Sequence, residues 1–230
     1  MKAMILAAGV GERMRPLTDH KPKPLLQVAG IPLIEHHIRR LGDAGFRELV
    51  INVSHLGEQI VEYCDSGSRW EVSILYSHEE QPLETAGGIH RALPLLGGDP
   101  FLVVNGDIWT DYDFARLRAV CLSMDTAAHL VMVENPPQHP QGDFVLDPDR
   151  RVRVRPEGIT GMTYAGIGVY DRAFFAGVQA GKLRLRPLLD DAILAGTLGG
   201  EFYRGDWEDV GTPERLQALD QRVRSARSVC

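Results

Sequence analysis

The chain has 230 residues, 44% hydrophobic and 24% charged, a length that suits one sizeable α/β domain and excludes two large ones. With 25 Lys+Arg against 31 Asp+Glu the formal net charge is −6, which argues against a general grip on a nucleic acid backbone and leaves room for small anionic ligands. Apolar runs such as residues 101–104 fall far short of the roughly 18 residues needed to cross a bilayer.

Residues 1–8 carry one basic residue and a short apolar run, and Gly11-Glu12-Arg13 follows without a cleavage region, so the segment reads as a first strand rather than a leader. Cys64, Cys121 and Cys230 are odd in number and contain no C-x-x-C pair, so neither a disulfide framework nor a zinc site is expected and a reducing cytoplasm fits.

A strand over residues 2–8 runs into glycine. From Pro32 the apolar positions Leu33, Ile34, Ile38, Leu41 and Ala44 recur at helical spacing, with Arg39, Arg40 and Asp43 opposite and Gly45 as the stop. Strands are predicted over 48–53 and 72–76, and helices over 58–63 and 85–93. A buried strand over 101–105, a helix over 114–122 and a strand over 129–133 follow. Such alternation implies right-handed βαβ crossovers and a mostly parallel sheet with helices on both faces. The second half is less regular. Short stretches at 143–146 and 151–155 predict a hairpin over one end of the sheet, before a strand over 162–170. Helices over 173–177 and 187–196, a strand over 200–204 and an amphipathic helix over 213–224 complete the chain. No internal repeat or domain-splitting linker interrupts it, so residues 1–230 read as a single domain.

If the first helix begins near Pro32, the connection from 9 to 31 is far longer than the ~2–6 residues of an ordinary βα loop. Residues 9–25 hold four Lys/Arg against two acids inside an acidic protein, which reverses the local field. Glycines admit backbone N–H groups to phosphate oxygens and the cations supply compensating charge, so a nucleoside triphosphate is the natural guest. Met14 stands where a dinucleotide fingerprint needs glycine, and Met14-Arg15-Pro16 does not provide the Gly-Lys-Ser/Thr of a P-loop.

Ala8-Gly9-Val10-Gly11-Glu12-Arg13-Met14-Arg15-Pro16-Leu17-Thr18, followed by Pro22-Lys23-Pro24-Leu25, resembles the signature of the sugar-1-phosphate nucleotidyltransferases. The resemblance implies a Rossmann-like, doubly wound sheet with a small β-hairpin sugar-binding region, the nucleotide-diphospho-sugar transferase fold. It assigns Gly9, Gly11 and Arg13 to the triphosphate and Lys23 to the reacting phosphates, with Arg13 and Lys23 as the catalytic cations. The flanking prolines limit where the loop can place a long lysine.

The strand over 101–105 runs directly into Gly106 and Asp107, which puts Asp107 at a carboxyl end of the sheet; if this strand and the first flank the topological switch point, Asp107 faces the glycine loop. Asp111 and Asp113 suit turn and N-cap duty. Trp207-Glu208-Asp209-Val210-Gly211-Thr212 resembles the family's late segment, whose aspartate joins the first in holding Mg²⁺, so the metal ligands implied are Asp107 and Asp209. Mg²⁺ commonly takes only one or two carboxylates and completes its shell with water and phosphate. Asp206 and Glu208 are the nearby alternatives, with Glu208 turned away from Asp209 by strand alternation.

Residues 82–89 combine a turn, a threonine able to cap and a glycine pair before a helix, and resemble the family's nucleobase pocket. Backbone groups near Ala8 and Gly88, with the Gln81 side chain, would read a pyrimidine. The sugar side implied is Asn105, Gly142, Gly166 and Arg155. Many family members carry Glu-Lys-Pro where Val154-Arg155-Pro156 stands here, so the usual carboxylate to a sugar hydroxyl is missing and Arg155 or Arg153 replaces the lysine. Residues 101–114, with Pro82-Leu83-Glu84-Thr85 and Tyr203-Arg204-Gly205, look closest to the uridylyltransferase branch of bacterial cell-wall recycling, which implies UTP and a sugar 1-phosphate as substrates, with no obligate protein partner. Glucose or mannose 1-phosphate with another nucleotide, and a non-catalytic sensor on the same fold, are the alternatives. His36 and His37 lie on the first helix, one of them half-buried and structural; Trp109 and Trp207 either pack or line the pocket.

Overall fold

The computed structural model describes the chain except residues 99, 121, 123, 124 and 228–230, so Cys121 and Cys230 lie outside the described residues, while Cys64 is a free, buried thiol. In chain order the elements are β1 (Ala3–Leu6), β2 (Gln27–Val28), β3 (Ile31–Pro32), α1 (Leu33–Asp43), β4 (Glu48–Val53), α2 (Gly57–Cys64), β5 (Ser73–His78), α3 (Glu84–Leu96), β6 (Phe101–Asn105) and β7 (Ile108–Thr110). They continue as α4 (Ala115–Arg118), β8 (Ala128–Val133), β9 (Phe144–Leu146), β10 (Val152–Val154), β11 (Thr163–Tyr170), α5 (Arg186–Leu194), β12 (Leu198–Phe202), β13 (Trp207–Asp209) and α6 (Pro213–Arg227).

A seven-stranded sheet in the order β12-β8-β11-β6-β1-β4-β5 organises the chain. The pairs β1 with β4, β1 with β6, β4 with β5 and β12 with β8 are parallel, and β11 runs antiparallel between β6 and β8. The central strands are covered on both faces, so they read as unbroken apolar runs: Ala3, Met4 and Ile5 are fully buried, as are Phe101, Leu102 and Val104. One face packs Ile34, Ile38 and Leu41 of α1 and Ile60 of α2 against the sheet; the other packs Ile89 of α3 and Leu189 of α5. The chain leaves β1 towards β4 and β5 and returns to β6 on the other side. The switch point therefore falls between β1 and β6, where Gly106 N–H donates to the Leu6 carbonyl at 2.9 Å.

Several predicted elements change at their ends. The helix expected over 114–122 is one turn, α4, started by Asp113 Oδ1 accepting from Ala115 N–H. That expected over 173–177 is a 3-10 turn at Arg172–Phe175. The long connection after β1 is built rather than loose: 3-10 turns at Glu12–Met14 and Lys23–Leu25 precede the β2–β3 hairpin. The β9–β10 hairpin forms as expected and lies at the β12 edge, with Arg151 bridging Gly199.

A third apolar cluster, away from the two sheet faces, joins Met14, Leu26, Val28, Leu33, Trp109 and Val210 to Leu219 and Val223 of α6. Helix α1 is thus covered by the sheet on one side and this cluster on the other, which is why both His36 and His37 are buried, where only one half-buried histidine was expected. Trp109 packs here rather than facing a pocket, with its ring edge to His36. Because the cluster carries the glycine loop on one side and the residue after Asp209 on the other, its loss must loosen both. Replacing Leu219, 1% exposed, by alanine is expected to cost about 2–5 kcal/mol, read as a lower urea midpoint at unchanged m-value.

Candidate active site

At the carboxyl ends of β1 and β6 the structure opens a cavity of about 740 Å³. The glycine loop forms one wall. Gly11 has φ +71°, and a Cβ there would lie 3.0 Å from Thr18 Cγ2 and 3.3 Å from Lys23 Cβ, so glycine is required both by backbone conformation and by space. Thr18, 2% exposed, donates from Oγ1 to the Gly11 carbonyl at 2.9 Å and closes the loop on itself. Met14, buried in the third cluster, pins the turn that carries Arg13 to the cavity.

Lys23 is 7% exposed, held between Pro22 and Pro24 in its 3-10 turn, and donates from Nζ to Asp107 Oδ2 at 2.7 Å. A lysine this buried needs an anionic partner, because taking an unpaired ammonium out of water is costly. Asp107 follows Gly106 at the end of β6. From there β7 pairs antiparallel with β13, Ile108 opposite Asp209, and Val210 N–H donates to the Asp107 carbonyl at 3.0 Å. This three-residue ladder sets Asp209 beside Asp107 across more than 100 residues of sequence.

Asp209 has its own cation: Arg215, from the first turns of α6, donates to Asp209 Oδ2 at 2.7 Å and to its carbonyl at 2.9 Å. Each aspartate engages one carboxylate oxygen in its ion pair, and Oδ1 of each has no hydrogen-bond partner among the described residues. Asp107 lines the cavity, whereas Asp209 is not among its lining residues and is brought near only through the β7–β13 pairing; two hard oxygen donors are a set that suits a divalent cation completed by water and phosphate. No cluster of three or more His, Cys, Asp or Glu suited to a metal occurs among the described residues. Asp206 and Glu208 turn instead to Arg222 of α6, at 3.0 and 3.7 Å, and burial pushes the Glu208 carboxyl upward. Asp111 accepts from Asp206 N–H at 2.7 Å and from the Tyr203 hydroxyl, so it anchors the loop before β13.

The opposite wall is a buried polar circuit. Ala7 N–H donates to Asn52 Oδ1 at 2.8 Å, Asn52 Nδ2 to Glu79 Oε1 at 2.7 Å, and Leu83 N–H to Glu79 Oε2 at 2.9 Å. Asn52 and Glu79 are 3% and 5% exposed and line the cavity with Gln81 and Thr85. Thr85 does not cap α3, which begins at Glu84 without a side-chain cap; the Glu79 carboxylate takes the free N–H of Leu83 just before it. Gly88 lies inside α3, where a Cβ would stand 2.7 Å from Glu79 Oε1 and 2.9 Å from Asn52 Nδ2.

Ala8, Gly9, Gly11, Arg13, Lys23, Gln81, Asn105 and Asp107 therefore line one cavity, with Gly88 behind the Asn52–Glu79 pair. Gly166 sits at the irregularity of β11, and a Cβ there would meet the Asn105 side chain at 2.7 Å, so the two belong to the same corner. Gly142 and Arg155 do not line this cavity: Gly142 packs against Asn135 and residues 161–162, and Arg155 donates to the Ile159 carbonyl at 2.9 Å. Arg153 pairs with Asp147 at 2.8 Å. Trp207 Nε1 donates to the Ala165 carbonyl at 2.9 Å, which ties β13 to β11.

Asn52 and Glu79 were not singled out by the sequence pattern. The available signal was a polar residue, Asn52, within the apolar run Leu49–Val53 of its strand.

The nucleotidyl transferase family model matches residues 2–225. The chain is 53% identical over 221 residues to the N-acetylmuramate alpha-1-phosphate uridylyltransferase of Neisseria meningitidis serogroup B, covering 94% of this chain and 96% of that protein. It is 35% identical over 235 residues to the protein of the same name from Caulobacter vibrioides, covering 97% of both. Among solved structures, a Bacillus anthracis chain described as a candidate glucose-1-phosphate thymidylyltransferase, in complex with a sucrose, superposes with a TM-score of 0.85 at 24% identity. That likeness covers 97% of this chain and 95% of the other, and it fixes the fold alone.

Behind the β7–β13 ladder, His37 Nε2–H donates to the Ile108 carbonyl at 2.9 Å and Nδ1 has no partner among the described residues. Burial lowers the imidazole to about 4 from its ordinary 6.5. Its contribution is complete above pH 6.5 and is lost as pH falls towards 4, because over that window the unfolded chain binds a proton that the folded chain refuses. The expected loss is about 3 kcal/mol, and the His37→Gln variant, which keeps a donor for Ile108, should flatten the fall; urea titrations of both proteins from about pH 7 to about pH 4 measure it.

Proposed function

Because the chain belongs to the nucleotidyl transferase family, we propose that it is a sugar-1-phosphate uridylyltransferase joining UTP to N-acetylmuramate alpha-1-phosphate, with release of pyrophosphate. The observation that carries the chemistry is the meeting of Lys23 Nζ with Asp107 Oδ2 on the cavity wall, with Asp209 paired opposite Ile108, the next residue along the chain. Support for the particular substrates is the shared name of the two relatives that match almost their whole length.

In this proposal the phosphate oxygen of the sugar 1-phosphate attacks the α-phosphorus of UTP in line with the departing pyrophosphate. The new P–O bond forms as the bond to the β-phosphate oxygen breaks, and the leaving group takes that electron pair. Both reactants are anionic, so the barrier lies in their approach and in developing charge, which positioning and fixed cations can lower without a covalent enzyme intermediate. The attacking phosphate is ionised near neutral pH, so no general base is needed.

Lys23 reaches the reacting phosphates, and its proline-flanked turn limits where Nζ can go. Arg13 and the N–H groups of the glycine loop hold the β- and γ-phosphates. Asp107 and Asp209 would hold Mg²⁺, and that ion would supply charge neutralisation at the reacting phosphates. The sugar lies towards Asn105 and Gly166, the corner next to Asp107.

The assay is pyrophosphate release with Mg²⁺, using a panel of sugar 1-phosphates against UTP, dTTP, GTP and CTP. UTP with N-acetylmuramate alpha-1-phosphate should give the highest kcat/KM; a higher value for glucose or mannose 1-phosphate would overturn the assigned sugar. Lys23→Ala should lower kcat at saturating substrates by about 10²-fold or more. Undiminished turnover in that variant would remove Lys23 from the reacting centre. Far-UV circular dichroism checks that the variant is folded.

A further inference from the structure

The cavity has two chemically different ends. Lys23, Arg13 and Asp107 mark one; at the other, the wall is Ala7, Ala8, Gln81 and Leu83, backed by the Asn52–Glu79 circuit. With phosphates at the cationic end, as the proposed function requires, the base lies against the circuit. We infer that Glu79, oriented by Asn52, is the positioning residue that sets the nucleobase-reading edge and hence nucleotide affinity and choice.

Donor and acceptor arithmetic makes the circuit unique. Ala7 N–H can only donate, so the Asn52 oxygen must face it, which turns the Asn52 amide nitrogen towards Glu79. Leu83 N–H also can only donate. The group between Asn52 and Leu83 therefore faces donors on both sides, and a carboxylate, with an acceptor oxygen at each end, meets both. Its charge is buried without a cation; among the described residues the two N–H partners are what hold it. The circuit spans three backbone segments: the end of β1, the end of β4, and the turn after β5 that carries Gln81. Its length fixes the gap between Ala7–Ala8 and Gln81–Leu83, the space a base must fill. Gly88 completes it, because any side chain there would press on both Glu79 and Asn52.

With Glu79→Gln alone, the side chain offers one oxygen and one NH₂, so one of its ends must meet another donor. Flipping Asn52 to relieve that clash would take the acceptor from Ala7 N–H. With Asn52→Asp alone, two acceptors stand face to face. Combining Asn52→Asp with Glu79→Gln restores every bond: the introduced aspartate accepts from Ala7 N–H and from the introduced glutamine amide, whose oxygen accepts from Leu83 N–H. The swap also keeps the net charge.

The test is a double-mutant cycle, E79Q, N52D and N52D/E79Q, read by calorimetric binding of UTP, dTTP, CTP and GTP and by steady-state kinetics. E79Q should weaken the preferred nucleotide at least about tenfold in both Kd and KM and narrow the preference among the four, with kcat and the KM for sugar 1-phosphate within about threefold. The double variant should regain most of the lost affinity. Equal nucleotide binding by wild type and E79Q, or a double variant no better than the worse single, would overturn the inference. Failure of the wild-type chain to bind any of the four would instead sink the proposed function on which it rests, a result the wild-type titration reports separately.

Discussion

Two carboxylates from distant parts of the chain sit at one rim of the sheet, and like charges so placed repel unless each is answered. The β7–β13 ladder forces the meeting, with Asp209 opposite Ile108 and Val210 bonded to the Asp107 carbonyl. The answer is a separate cation for each acid: Lys23 reaches Asp107 from the loop after β1, and Arg215 reaches Asp209 from α6. In each pair the cation is the more buried partner, at 9% exposed for Lys23 and 18% for Arg215, while Asp107 and Asp209 are 40% and 28% exposed and keep a face to water. Loop, ladder and closing helix are thereby fastened to the same few atoms.

This fastening explains why α6, which is mostly polar, belongs to the site. Leu219 and Val223 pack under Trp109 and Val210, the residues that follow the two aspartates by one or two positions. Arg215 and Arg222 of the same helix hold Asp209, Asp206 and Glu208. Apolar burial supplies the adhesion, and the two arginines divide the carboxylates of the 206–209 segment between them. His37 adds a third constraint, a neutral donor to the Ile108 carbonyl from a helix buried on two sides.

The parts of the site that were legible in the sequence are those where a motif sits at the end of an apolar strand. Gly9 and Gly11 follow β1, and Gly106-Asp107 follow β6, so strand prediction alone placed them at one edge. Lys23 and Asp209 were legible through the family resemblance. What escaped was whatever needs partners from elsewhere. Strands β2, β3, β7 and β13 are two or three residues long, too short to show a period of two. Asn52 reads as one polar residue in a strand, and Glu79 as one of the two adjacent acids Glu79-Glu80; only pairing across 27 residues gives either a meaning. Gly142 and Arg155 were assigned to the sugar by position in the family pattern, but the folded chain turns Arg155 onto the Ile159 carbonyl, away from the main cavity.

The net charge of −6 and the local reversal at the glycine loop together give the cavity a direction. A polyphosphate is drawn to Arg13 and Lys23 and repelled from Glu79, whose charge is fixed by neutral N–H groups and so remains uncompensated by any cation partner among the described residues. A nucleotide entering such a cavity has one favourable polarity, phosphates to the β6 end and base to the Asn52 end. Orientation is then encoded before any base-specific contact forms, because burying a phosphate beside an uncompensated carboxylate costs more than any hydrogen bond to the base returns. Choice among bases is left to the short wall between Ala8 and Gln81, where the spacing is set by a chain of three hydrogen bonds and one charge.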